Sequence, residues 1–198
     1  MLKDSFTCSE GKSSAVKIKL SIALTVLTFL MSCNSIVFDS PQPLGSESVT
    51  NISKMFPGVY ISSDSDSISI SSSAITLKSN NGSTVTGKLG KNIDIKEYSN
   101  GYVVNLSDSV NNRQVWVAYI FKLYNDTLWI SYSDFGTEKL MEFENQIRAK
   151  VPYEVIRNND GSYQRLILKP QKLGDFEKLV NAGIFNKTVS LRMEKEMH

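Results

Sequence analysis

From Phe56 onward the chain alternates short apolar runs with polar punctuation. Val59–Ser62, Ser67–Ile70, Ala74–Lys78, Thr84–Leu89, Ile93–Glu97 and Tyr102–Leu106 each carry β-branched or aromatic residues at strand spacing. Between them fall Asn80-Asn81-Gly82, Gly90-Lys91-Asn92 and Ser99-Asn100-Gly101. Asn and Gly tolerate the positive φ of tight hairpin turns.

The clearest hairpin is Val115–Leu123 and Leu128–Ser133 about a two-residue turn at Asn125-Asp126. That register sets Leu123 against Leu128, Phe121 against Ile130 and Tyr119 against Tyr132, all on one face. Trp116, Ala118 and Ile120 fall on the other, so this strand is apolar on both sides and should be central. The period then lengthens. Leu140, Phe143 and Ile147 recur at three and four, with Thr137 as a candidate cap and Pro152 as a stop. Leu173, Phe176, Leu179 and Val180 make a second helical stripe, closed by Gly183 at C′. Tyr153–Ile156 and Tyr163–Leu168 flank Asn158-Asn159-Asp160-Gly161, another hairpin signal, and Val189–Met193 is a last strand. The fold class expected is mainly β: an antiparallel meander forming a small barrel or sandwich, with one or two short helices in the C-terminal third.

The first 53 residues read differently. Lys17 and Lys19 precede the apolar run Leu20–Leu30. Its 11 residues fall short of the roughly 20 needed to cross a bilayer as a helix. A basic start, a short apolar core and a small residue before a break are the marks of a secretory signal. Sixteen residues stand before Lys17. Either the leader is long or translation begins nearer Lys17. From Asn34 to about Ser53 the chain is Ser/Pro/Gly-rich and aperiodic, which reads as a flexible tether. The expected division is thus a signal peptide over 1–32, a tether over 33–53 and a single domain over 54–198.

The run ends Leu30-Met31-Ser32-Cys33. It resembles the lipobox of bacterial lipoproteins, with Leu three residues before the Cys and a small residue beside it. The resemblance implies that Cys33 is acylated through sulfur, becomes the mature N-terminus and holds the protein to a membrane. Two acyl chains, at about 0.8 kcal/mol per buried methylene, suffice for stable anchoring. Asn34 after the Cys implies the outer membrane over the inner, with the periplasmic face as default. Phe56-Pro57-Gly58-Val59-Tyr60 is similar to the first strand of lipocalin-like domains, where a Gly precedes an aromatic by two.

Charge narrows the partners. The whole chain carries net +2, but four lysines and two acids lie in the first 32 residues, leaving a mature part with 18 basic and 18 acidic residues. Nothing there favours nucleic acid. With Cys8 in the leader and Cys33 lipidated, the domain holds neither thiol nor disulfide. The one histidine is His198, at the terminus. Histidine relays and zinc sites therefore lack their ligands. No cofactor, metal or catalytic residue is expected. Asp64 and Asp66 read as a solvated turn, although spaced acids can hold calcium, and Glu138, Glu142 and Glu144 read as an exposed helix face.

Aromatic residues are the candidate binding groups: Tyr60, Tyr102, Trp116, Tyr119, Trp129 and Tyr132 could line a pocket for a hydrophobic ligand or glycan, or simply fill the interior. The functional expectation is a non-catalytic binding module of lipocalin-like type. The alternative is a structural or inhibitory lipoprotein that docks another envelope protein. Three segments, Asp66-Ser67-Ile68, Asp108-Ser109-Val110 and Asp126-Thr127-Leu128, resemble the Asp-Ser/Thr-aliphatic acceptor of envelope O-glycosylation.

Overall fold

The computed structural model describes residues 36–52 and 55–194. The segment read as a leader, Cys33 and His198 lie outside them. Twelve strands form one mostly antiparallel sheet that does not close. In chain order they are β1 (Ile36–Phe38), β2 (Gly58–Ile61), β3 (Ser67–Ile70), β4 (Ala74–Lys78), β5 (Thr84–Lys88), β6 (Ile93–Tyr98), β7 (Gly101–Val110), β8 (Arg113–Tyr124) and β9 (Thr127–Tyr132). Helix α1 (Thr137–Ile147) follows, then β10 (Tyr153–Arg157), β11 (Tyr163–Leu168), helix α2 (Leu173–Asn181) and β12 (Lys187–Met193).

Hairpins account for most of the pairing. The β8–β9 turn has Asn125 at φ 47° and Asp126 at φ 60°, the left-handed pair that matches strand twist in a two-residue loop. Leu123 pairs with Leu128 and Phe121 with Ile130, in the register expected. β12 then inserts between β9 and β2 and joins the first meander to the second.

The sheet has two apolar faces because β8 does. Val115, Val117, Tyr119 and Phe121 enter an inner cluster with Tyr60, Ile68, Ile95, Leu128 and Leu191. Ala118 and Ile120 enter an outer cluster with Phe38 and with Leu140 and Phe143 of α1 and Phe176 of α2. Two neighbours share one edge of β8: β9 pairs along its C-terminal half and β1 meets it at Trp116. At the other edge β7 pairs along its length. The edge strands are β5, β6 and β10, and β5 and β6 approach each other at the isolated bridge Leu89↔Ile93. Gly87 makes that approach possible, since a Cβ there would lie 2.1 Å from Ile93 Cδ1.

The stretch read as a tether is part of the fold from Ile36 onward. Ile36, Val37 and Phe38 are 2%, 0% and 1% exposed, and β1 pairs in parallel with β11. Beyond it, Asn105 on β7 holds Gln42 by both backbone groups. Its Oδ1 accepts the Gln42 N–H at 2.8 Å and its Nδ2 donates to the Gln42 carbonyl at 2.8 Å. Lys96 Nζ donates to the carbonyls of Pro41 and Pro43. Val49 N–H then bonds Ile95 O on the free edge of β6, and Ile52 is fully buried in the inner cluster. Low periodicity concealed this path because it is held by side-chain amides and ammonium rather than by an apolar stripe.

The helices follow their stripes except at their starts, where Leu173 of α2 is exposed rather than part of the apolar stripe. α1 begins at Thr137 itself, with Gly136 at the N-cap and no side-chain capping bond. α2 ends as expected. Gly183, at φ 81°, donates to Val180 O and Ile184 to Leu179 O, which is the Schellman pattern. Ile184 is buried beside that turn.

Candidate functional site

The six aromatic residues expected to form a binding set are divided among three places. Tyr60, Tyr119 and Tyr132 are buried in the inner cluster, and Tyr102 packs against it with its ring edge on Phe56 at 5.4 Å. Trp116 packs against the outer cluster. Trp129 points outward from β9 and is 44% exposed. Alternation explains the division: even positions of β7 and β9 carry rings inward on Tyr102 and Tyr132, whereas Trp129 sits at an odd one. Tyr60 donates its hydroxyl to Phe56 O at 2.9 Å. Burial pushes the phenols of Tyr60, Tyr102 and Tyr132 above the usual tyrosine range, and the nearby charges of Asp126, Glu97 and Asp134 respectively add to it.

The acids expected on an exposed helix face are not alike. Glu138 and Glu142 are exposed, but Glu144 is 7% exposed. Its carboxylate accepts hydroxyl bonds from Tyr153 at 2.8 Å and from Tyr163, and pairs with Arg148 at 3.5 Å. The Tyr163 bond is the chief reason its pKa lies below the ordinary carboxylate value, with Tyr153 and Arg148 contributing against desolvation. Arg157 lies over the Tyr163 ring, 4.3 Å from its centroid. A carboxylate held this way is an acceptor that stays ionised. A general acid of a glycosidase requires the opposite shift. Its position joins α1 to the β10–β11 hairpin.

Around that hairpin three further ion pairs gather. Glu154 on β10 pairs with Lys169 at 2.8 Å and Arg113 at 3.0 Å, and Arg165 on β11 pairs with Asp108 on β7 at 2.7 Å. The Asp64–Asp66 turn also differs from expectation. Ser65 takes φ 66°, and Asp66 is buried, accepting the Asn80 N–H at 2.9 Å, while Asp64 stays half-exposed. Asp66 is therefore tied into the fold, and Asp64 is not buried with it. Of the three acceptor-like segments, Ser109 is exposed and Ser67 and Thr127 are half-buried on outward strand positions.

An open cleft of about 440 Å³ went unforeseen. It is lined by Asp134, Gly136, Glu138, Lys139, Asn186 and Lys187. Asn186 forms it by bonding both backbone groups of Asp134, at 2.8 and 2.7 Å, across the loops that precede α1 and β12. Two acids and two lysines leave its lining without a charge preference. No local pattern announces such a cleft, because its walls are 52 residues apart in the chain.

No family model, curated protein or solved structure matches this chain.

Proposed function

We propose that this protein is an exported lipoprotein, anchored through acyl chains on Cys33 at the outer membrane, with a β domain that serves as a non-catalytic binding module of the cell envelope. The observation that carries the reading is Leu30-Met31-Ser32-Cys33 at the end of an 11-residue apolar run behind two lysines. The fold is consistent with it. Strand β1 starts at Ile36, three residues past Cys33. At full extension three virtual bonds span about 11 Å. An acylated Cys33 would therefore hold the domain close to the bilayer, without a long leash.

Packing supports one place for recognition over another. Tyr60, Tyr119 and Tyr132 are committed to the inner cluster, so the reading puts ligand contacts on the outer surface rather than inside the sheet. Metabolic labelling with an alkyne fatty acid tests the anchor. The native protein should take up label and fractionate with membranes, and Cys33→Ala should lose both. Native protein that begins at Met1 and matches the bare polypeptide in intact mass would overturn it.

A further inference from the structure

The outward face of the sheet from Lys122 and Tyr124 at the end of β8 through β9, β12, β2, β3 and β4 to β5 contributes nothing to the outer apolar cluster that the helices cover. We propose that this face docks an acidic polysaccharide. The inference names a ligand class for the binding module proposed above, and it does not depend on the anchor.

Register makes the face continuous. Thr127 pairs with Arg192, Arg192 with Ile61, Ile61 with Ser67, Ser67 with Lys78 and Lys78 with Thr84. These six side chains form one row across the strands. At about 4.8 Å between strands the row runs roughly 24 Å, long enough to follow several sugar units of an extended chain. A second row, Val59, Ser69, Thr76 and Thr86, lies beside it.

Composition then selects the partner. The charged residues at outward positions of these strands are Lys78, Lys88, Lys122 and Arg192. Among the described residues none of those positions carries a carboxylate, although the mature chain has as many acids as bases. The nearest acids, Asp64, Asp126 and Glu194, stand in the bordering turns and just past β12. Ser and Thr fill most of the rest. Two pairs are already joined sideways, Thr76 to Thr86 at 3.1 Å and Ser131 to Thr188 at 3.0 Å. A hydroxyl both donates and accepts, as sugar hydroxyls do.

Aromatic exposure agrees. Trp129 at 44%, Tyr124 at 70% and Val59 at 37% are three of the five large hydrophobic residues left exposed among the described residues. Trp129 lies between Lys122 and Ser190 in register, so a ring able to stack on a sugar face sits next to a cation able to pair with its carboxylate. A bilayer would require a contiguous apolar surface. Here Val59 and Trp129 are separated by the hydroxyl-bearing strand β12. A protein partner would favour a charge-poor aromatic centre, and the long row contains two cations.

The test is calorimetric titration of the full chain in detergent with polygalacturonate, neutral dextran and polyglutamate. Polygalacturonate should bind, and dextran and polyglutamate should each bind at least tenfold more weakly. Raising salt from 50 to 300 mM should weaken binding, since screening shortens the reach of exposed charges. Trp129→Ala and Arg192→Ser should each weaken it about fivefold or more, with circular dichroism unchanged, because both positions are exposed. Equal binding of polyglutamate would assign the face to an acidic protein instead. Equal binding of dextran, no binding at all, or full affinity in both variants would also overturn the proposal. None of these outcomes bears on acylation of Cys33.

Discussion

The two sides of β8 are built on different principles. Inward, most of the core is assembled from hairpins whose partners are close in sequence, with Val37, Ile167 and Leu191 added from β1, β11 and β12, and the packing is almost entirely aliphatic and tyrosine. Outward, the continuous segment of α1, β10, β11 and α2 packs on β8 together with β1 from the far end of the chain, and polar staples reinforce the contacts. Among the described residues every carboxylate whose pKa is shifted downward, Glu144, Glu154, Asp160 and Asp175, belongs to the C-terminal segment that supplies this outer layer. The inner cluster holds none of these carboxylates, whereas the outer layer is closed by charged hydrogen bonds that acid can break.

The largest test of that contrast is Phe176→Ala. Phe176 is fully buried and meets Phe38, Tyr98 and Phe185 at ring distances of 6.1, 5.2 and 5.8 Å. Truncation should cost about 3–5 kcal/mol. Native-state hydrogen exchange should accelerate in α1, α2, β10 and β11 while the β2–β5 meander stays protected. Uniform acceleration would show that the two sides unfold as one unit.

Glu144→Gln should cost about 1.5–3 kcal/mol, the worth of charged hydrogen bonds. It also carries a pH signature. Glu144 titrates lower in the folded protein than its ordinary 4.5. Its stabilisation is therefore fully present above about pH 4.5 and is lost as pH falls through the lower folded value. Glu154 and Asp175 act in the same direction. Acid should loosen the outer layer first, seen as exchange at α1 before the meander, and the Gln variant should show a shallower stability loss below pH 4.5.

Asn105→Ala should cost about 1–3 kcal/mol, because it leaves the buried N–H and carbonyl of Gln42 unpaired. Thermal unfolding measures it, and protease cleavage within 41–52 should appear at the same time. Asp126→Gly should go the other way by about 0.5 kcal/mol, since glycine adopts φ 60° without the Cβ penalty. A higher melting temperature checks it, and the gain should be confined to the β8–β9 hairpin.

The candidate sites were less legible than the fold. Trp129 and Tyr119 look equivalent as aromatic strand residues until alternation assigns one outward and the other inward. Glu144 looks like Glu142 until Tyr153 and Tyr163 are brought over it. Nothing in the spacing of Asp134 and Asn186 announces the cleft they share.

The amino-acid sequence alone was enough for the meander, the β8–β9 register, the two-sided character of β8 and both helices. These depend on period and turn chemistry, which act over a few neighbours. Tertiary structure decided the rest. Ile36-Val37-Phe38 becomes a strand only because Leu166–Leu168, far downstream, offers a parallel edge. Gln42 is buried only because Asn105 replaces its lost water. Such pairings join residues that no local window contains together, and their free energy exists only once the chain has closed on itself.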